Sequence, residues 1–178
     1  MKIPSLLILI LTLLLIILGE GGSAHQGSRK DLVTTVYQPY NDTTLIYSEL
    51  GQLALNPSHR VQHLSMQISA EYKGKNRSKP EFVRLLLTAH PKWSLSDERK
   101  PRLLIFADGK TFEARGPDKA GYSPSLDFEM MGFAMSREEF LRVARARVVR
   151  LQLDEVDLEL TDAQRKRLQA FAKELRCR

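Results

Sequence analysis

The chain has 178 residues, with 43% apolar and 27% charged residues and a formal net charge of +6. This length predicts one domain, and the composition excludes a wholly disordered chain, a collagen-like chain and a multi-pass membrane protein. The single cysteine excludes a disulfide framework.

The N-terminus has the pattern of a signal peptide. Leu6–Leu18 are apolar except for Thr12, and a helical run of this length is shorter than the roughly 30 Å core of a bilayer. Gly22 and Ala24 occupy the small-residue positions of a cleavage site. We therefore predict a signal peptide at 1–24, cleaved before His25, and an extracytoplasmic (secreted or periplasmic) chain. The alternative is an uncleaved segment that serves as a single-pass N-terminal membrane anchor.

The first half of the mature chain predicts β-strands. The clearest is Leu64–Tyr72, in which apolar and polar residues alternate, a period that indicates one buried face and one solvated face. A more uniformly apolar strand follows at Phe82–Ala89. Three shorter segments rich in β-branched and aromatic residues precede them: Val33–Tyr37, Thr43–Tyr47 and Leu50–Leu55.

The dipeptide Asp108-Gly109 predicts a β-hairpin in the second half. Arg102–Ala107 and Lys110–Arg115 flank it, and Asp-Gly favours the two-residue turn that needs positive φ at both positions. Gly116–Pro124 then predicts a loop. Leu126–Met135 predicts a strand rich in Met and Phe, with Gly132 as a bulge.

Two helices are predicted near the C-terminus. Ser136 and Glu139 match a capping box that begins a short helix with Phe140, Leu141 and Ala144 facing inward. A second helix begins after Thr161, with Gln164 three residues further on. Its buried face is a stripe at helical spacing: Leu168, Phe171, Ala172 and Leu175.

These elements predict an α+β fold, mainly antiparallel β. A last hairpin, Val148–Leu153 and Val156–Leu160, lies between the helices. About eight or nine short strands and two late helices favour a sandwich or a curved sheet, with the helices over an open edge or end. We predict that residues 25–178 form a single domain.

Three segments resemble a type of uncharacterised secreted or anchored bacterial β-rich domain. They are the Tyr-x-x-Tyr-Asn-Asp-Thr-Thr opening at Tyr37–Thr44, the Leu-Leu-Ile-Phe-Ala-Asp-Gly hairpin at Leu103–Gly109, and the Leu-Thr-Asp helix start at Leu160–Asp162. The resemblance covers most of the mature chain. It implies the fold and an extracytoplasmic location, and it implies no activity.

The leading functional prediction is an exported, non-catalytic module that binds a protein or an anionic envelope polymer. The surface that we expect to bind contains Trp93 and a cluster of four arginines, Arg142, Arg145, Arg147 and Arg150. No aromatic residue interleaves with these arginines, which argues against stacking on nucleic acid bases. No cofactor is required by this interpretation.

A copper-binding or copper-dependent redox protein is an alternative. Cleavage before His25 would place an α-amine and an imidazole on one residue, and these nitrogens suit Cu(II). The site would resemble the histidine brace of secreted copper monooxygenases and periplasmic copper carriers. The partner imidazole would come from one of the other three histidines: His59, His63 or His90.

A hydrolase is a further alternative, and it would need two carboxylates converging in a pocket. The candidates lie in or beside predicted loops: Asp97, Glu98, Asp108, Asp118 and Asp127. Cys177 lies one residue from the C-terminus, so an intermolecular disulfide is one prediction for it and burial is the other.

Overall fold

Ten strands and two helices make up the described part of the chain. The computed structural model describes residues 32–55, 63–75, 79–90, 101–116, 121–123 (backbone only) and 128–176. The strands are β1 (Thr34–Gln38), β2 (Thr43–Gln52), β3 (His63–Lys73), β4 (Phe82–His90), β5 (Leu103–Ala107), β6 (Lys110–Ala114), β7 (Gly121–Ser123), β8 (Phe128–Ser136), β9 (Val149–Leu153) and β10 (Val156–Glu159). The helices are α1 (Arg137–Val143) and α2 (Asp162–Arg176).

Six strands form one antiparallel sheet in the order β1-β2-β3-β4-β8-β7. Strand β3 shows how the alternating sequence gives this sheet two different faces. Five of its residues are buried, Leu64, Met66, Ile68, Ala70 and Tyr72, while the residues between them are half-buried or exposed. The period of two therefore separates an inner face, toward the core, from an outer face. This confirms the prediction made from the alternation in this segment.

The other four strands form a second antiparallel sheet in the order β10-β9-β5-β6. The β5–β6 turn is the predicted hairpin, with φ of +46° at Asp108 and +78° at Gly109. The buried face of this four-stranded sheet carries Ile105, Leu151 and Leu158 side by side on neighbouring strands. These residues belong to the same hydrophobic cluster as the inner face of the six-stranded sheet, as expected for a mainly antiparallel two-sheet fold.

A close backbone approach links the two sheets beyond β6. Arg115 and Ala134 exchange two backbone hydrogen bonds of 2.7 Å, so the chain passes from the smaller sheet to β8 of the larger one. The next residue, Gly116, has a φ of +144°. A Cβ at this position would lie 2.7 Å from the carbonyl oxygen of Gly132 and 3.2 Å from Cα of Phe133. Only glycine fits this crossing without displacement.

The helices complete the core as the capping and stripe patterns predict. At the start of α1, Ser136 Oγ accepts from the Glu139 N–H, and the Glu139 carboxylate accepts from the Ser136 N–H. All four residues of the α2 stripe are buried. The rings of Phe140 and Phe171 meet edge to face, with centroids 5.6 Å apart and planes at 81°, which fixes the two helices against each other.

Gln164 joins α2 to the six-stranded sheet. This side chain is buried, and its Nε2 donates to the carbonyl oxygen of Gln52 at 2.6 Å. Its Oε1 accepts from the N–H of Thr161 at 2.8 Å, as the predicted cap requires. One amide therefore caps the helix and anchors it to the end of β2.

The predicted break between Thr43–Tyr47 and Leu50–Leu55 is wrong, because β2 runs without interruption through Thr43–Gln52. The register against β3 shifts between Glu49 and Gly51, which marks a bulge. Gly51 has a φ of +81°, and this conformation lets the strand bend and continue along β3 instead of turning away.

The predicted bulge at Gly132 is also wrong. The register between β4 and β8 runs without a shift through the Leu86–Gly132 pair. A Cβ at Gly132 would meet open space, and it is the carbonyl oxygen of Gly132 that lies close to Gly116. Within the predicted loop Gly116–Pro124, the structure contains the short strand β7, which pairs with β8. Three residues are too few to show a periodic pattern, so the sequence did not predict this strand.

Neither described helix is long and apolar enough to cross a membrane. The predicted signal peptide and the boundary at residue 25 fall outside the described residues and stay predictions. From Leu32 onward the chain forms one compact unit.

Candidate binding surface

The four predicted arginines lie along one continuous segment that runs from α1 into β9. Arg142 is in the last turn of α1, Arg145 and Arg147 are in the connection, and Arg150 is on β9. All four side chains are exposed. We call this set the arginine surface. Its backbone is anchored by buried neighbours, because Val143, Ala144, Ala146 and Val149 all belong to the hydrophobic core.

Asp108 holds the connection that carries Arg147. Its carboxylate accepts from the Arg147 N–H at 3.0 and 3.1 Å and from the Val148 N–H at 3.1 Å. In the other direction, the Asp108 N–H donates to the Val148 carbonyl at 3.3 Å. The Arg147 carbonyl accepts from the Arg165 guanidinium of α2. These contacts use the backbone of Arg147, and the residue itself is exposed.

The same contacts change the acidity of Asp108. Hydrogen bonds from the backbone N–H groups of Arg147 and then Val148 hold the pKa of its carboxyl below the ordinary value, because they stabilise the charged form. The carboxylate is therefore ionised at neutral pH and serves as an anchor of the connection.

Two carboxylates lie near the arginine surface without forming an ion pair with it: Asp108, whose pKa the charge of Arg147 also lowers, and Glu159. In the described ranges, no Asp or Glu lies within ion-pair distance of any of the four guanidinium groups. Arg150 lies over the ring of Phe106, 5.7 Å from its centroid, in the geometry of a cation–π contact. Glu159 is its cross-strand neighbour on β10. The surface thus combines guanidinium donors with one partly exposed aromatic ring.

A groove of about 370 Å³ adjoins the arginine surface, between the start of β9 and the start of α2. Arg147 and Arg165 contribute cations to its wall, and Val148 contributes an apolar side chain that is 53% exposed. Arg165 also pairs with Asp162. Glu159 lines it as well, so two cations and two carboxylates leave this groove without net charge, and by itself it does not select an anion.

A second depression, of about 450 Å³, lies at the other end of the six-stranded sheet. Its charged lining is mixed, with Lys73 and Arg84 beside Glu71 and Glu81, next to the partly exposed ring of Phe82. Two cations and two carboxylates leave it without net charge, so it does not select an anion.

The structure brings two of the four predicted metal-binding histidines together. His63 and His90 face each other across the β3–β4 ladder. His25 and His59 lie outside the described residues, as do Trp93 and Cys177, so their predicted roles stay predictions. In the part of the chain that the structure describes, no three His, Cys, Asp or Glu side chains are grouped to hold a metal ion.

Of the five carboxylates predicted for a hydrolase, the structure describes Asp108 alone. Its oxygens accept backbone hydrogen bonds, and no second carboxylate is paired with it in the described ranges. Asp97, Glu98, Asp118 and Asp127 lie outside these ranges, and the hydrolase alternative stays a prediction.

Sequence reasoning missed Asp108 as the anchor of Arg147, and it missed Arg165 and Val148 beside the arginine surface. Asp108 and Arg147 are 39 positions apart, and no local pattern encodes a contact of that separation. Val148 gave no separate signal, because it was assigned to the strand Val148–Leu153 and single exposed apolar residues are common on protein surfaces.

Comparisons with known proteins identify no relative. No protein-family model matches the chain, and no curated protein or solved structure is significantly similar to it. The argument for function therefore depends on the surface itself.

Proposed function

We propose that the protein is an exported, non-catalytic module that binds an anionic envelope polymer at the arginine surface. One observation carries the proposal: four exposed guanidinium groups lie on a backbone segment anchored by Asp108 and by buried residues, with no described carboxylate within ion-pair distance. A surface that served only solubility would gain nothing from a fixed backbone.

The chemistry of the guanidinium group favours a phosphate- or carboxylate-bearing ligand. Its planar fork binds two oxygens of such a group at once, and it stays charged at any physiological pH. A polymer presents its anions repeatedly, so several weak contacts act together and the second contact forms at a high effective concentration. The net charge of +6 adds long-range attraction.

The test compares two triple variants on an immobilised heparin column. Arg142→Glu, Arg145→Glu and Arg147→Glu together reverse the charge of three of the four arginines of the surface. The matched control changes three exposed lysines elsewhere: Lys73→Glu, Lys79→Glu and Lys166→Glu. Each triple variant lowers the formal net charge of +6 to zero, so the two differ in the position of the charge and not in its amount.

We expect the arginine variant to pass through the column at about 0.15 M salt, where screening is moderate, while the control stays bound. Equal elution of the two variants would refute the proposal, because retention would then follow net charge alone. A wild-type protein that is not retained would refute it too. Circular dichroism spectra of all three proteins check that the fold is kept.

A second column carrying immobilised polyglutamate separates polymer binding from binding of an acidic protein. Retention on both matrices, lost in the arginine variant, supports recognition of a flexible polyanion. The alternative partner, a folded acidic protein, predicts weak retention on both columns, since its affinity needs shape complementarity in addition to charge.

A further inference from the structure

The last pair of the β3–β4 ladder consists of two histidines. His63 and His90 are direct cross-strand partners, and both are exposed. They lie on the outer face of the six-stranded sheet, because the next pair on that face is Ser65 with Thr88, and the pair between them, Leu64 with Ala89, is buried. The antiparallel register therefore places two imidazoles side by side.

This spacing suits chelation of one transition-metal ion. Directly opposed residues of an antiparallel pair have Cβ atoms about 4.5–5.5 Å apart. Two imidazoles that start from this separation can turn their ring nitrogens toward a common ion, at the metal–nitrogen distance of about 2.0 Å that histidine ligands adopt. Neutral imidazole favours Cu(II) most strongly among the common divalent ions.

Gln52 supports one of the two rings. Its Nε2 lies 3.4 Å from Nδ1 of His63, and the register places Gln52 beside Ser65 on the same face. When the amide turns by 180°, its Oε1 accepts a hydrogen bond from Nδ1–H, and Nε2 of His63 then carries the lone pair for a metal. A ligand histidine is commonly oriented by such a partner.

We propose that His63 and His90 together bind one Cu(II) ion, with Gln52 as a positioning residue and water in the remaining coordination positions. The site is independent of the arginine surface. It also differs from a copper site at the mature N-terminus, because it needs neither His25 nor cleavage of the signal peptide.

The test uses all four histidines of the chain as two matched pairs. One variant carries His63→Ala and His90→Ala, and the control carries His25→Ala and His59→Ala, so each loses two imidazoles. CuCl₂ is titrated into the full chain, and the affinity is measured by calorimetry. We expect the control to bind one equivalent like the wild type, and the first variant to lose about tenfold or more in affinity, because a single imidazole cannot chelate.

Wild-type protein supplies a readout that depends on no variant. Electron paramagnetic resonance of the one-equivalent Cu(II) complex is expected to show coupling to two imidazole nitrogens, and Cu(II) is expected to raise the midpoint of thermal unfolding of the wild type and of the control. Unchanged affinity in the His63/His90 variant would overturn the proposal. Loss of binding in the His25/His59 control, with binding kept in the other variant, would overturn it too.

Discussion

The crossing at Gly116 offers a direct test of how the two sheets are joined. We predict that Gly116→Ala destabilises the protein strongly. The φ of +144° is a conformation that residues with a Cβ rarely adopt, and the new Cβ would meet the Gly132 carbonyl oxygen at 2.7 Å. Relief of that contact must move β8 or break the hydrogen bonds between Arg115 and Ala134.

The expected magnitude follows from the two separate costs. A residue forced into a sparsely populated backbone region costs about 1–3 kcal/mol, and an overpacked contact costs about 1–3 kcal/mol more. We therefore expect Gly116→Ala to lower the free energy of unfolding by about 2–6 kcal/mol. In a protein of this length, each kcal/mol lowers the unfolding temperature by about 2–4 °C.

Two other glycines separate these costs. Gly109 has a φ of +78° and open space around its Cβ direction, so Gly109→Ala is expected to show the backbone cost alone, about 1–2 kcal/mol. Gly132 also has open space and no positive φ. Gly132→Ala is expected to be neutral or to stabilise the protein by up to about 1 kcal/mol, since alanine loses less backbone entropy on folding.

Urea unfolding followed by circular dichroism ranks the three variants. The expected order of stability is Gly132→Ala highest, Gly109→Ala intermediate and Gly116→Ala lowest. A Gly116 variant that is as stable as the Gly109 variant would show that β8 yields to the new Cβ without cost. The crossing would then not be the rigid contact described above.

Three further predictions concern the anchors of the helices and of the arginine surface. The pKa of Asp108 is lowered in the folded protein, so the ionised carboxylate contributes stability at pH values above the unfolded pKa of about 3.9. This contribution is lost as the pH falls through the folded pKa. The free energy of unfolding of Asp108→Asn should therefore depend less on pH in the acid range than that of the wild type. An unchanged pH profile would contradict this assignment. Gln164→Ala should cost about 1–3 kcal/mol in urea unfolding, because it removes a buried side chain that both donates to the Gln52 carbonyl and caps α2, whereas Gln169→Ala on the exposed face should cost little. A double-mutant cycle of Phe140→Leu and Phe171→Leu should yield a coupling of about 0.5–1.5 kcal/mol, and additive effects would rule out the edge-to-face contribution.

Much of the fold could be predicted because its signals are local. The alternation in β3, the Asp108-Gly109 turn, the capping box at Ser136 and the α2 stripe each depend on residues a few positions apart. Two of the errors lie at glycines within strands. Gly51 continues a strand through a bulge, and Gly132 lies in an unbroken ladder, because contacts from other strands decide which role a strand glycine takes.

The candidate sites depended more on tertiary structure. The sequence identified the arginine surface, since its four members lie within nine consecutive positions. It did not identify Asp108 as the anchor of that surface, because the contact joins a hairpin turn to a connection 39 residues away.

The sequence alone determined an antiparallel β-rich chain with two late helices, because hydrophobic period and capping chemistry act over one or two turns of backbone. Strand pairing decided the remainder. The register that sets His63 opposite His90 and the crossing that brings Gly116 onto Gly132 both arise from the fit of two whole strands. A one-residue slip would turn every side chain to the other face, so the packing of the entire core selects these pairs and no short segment encodes them.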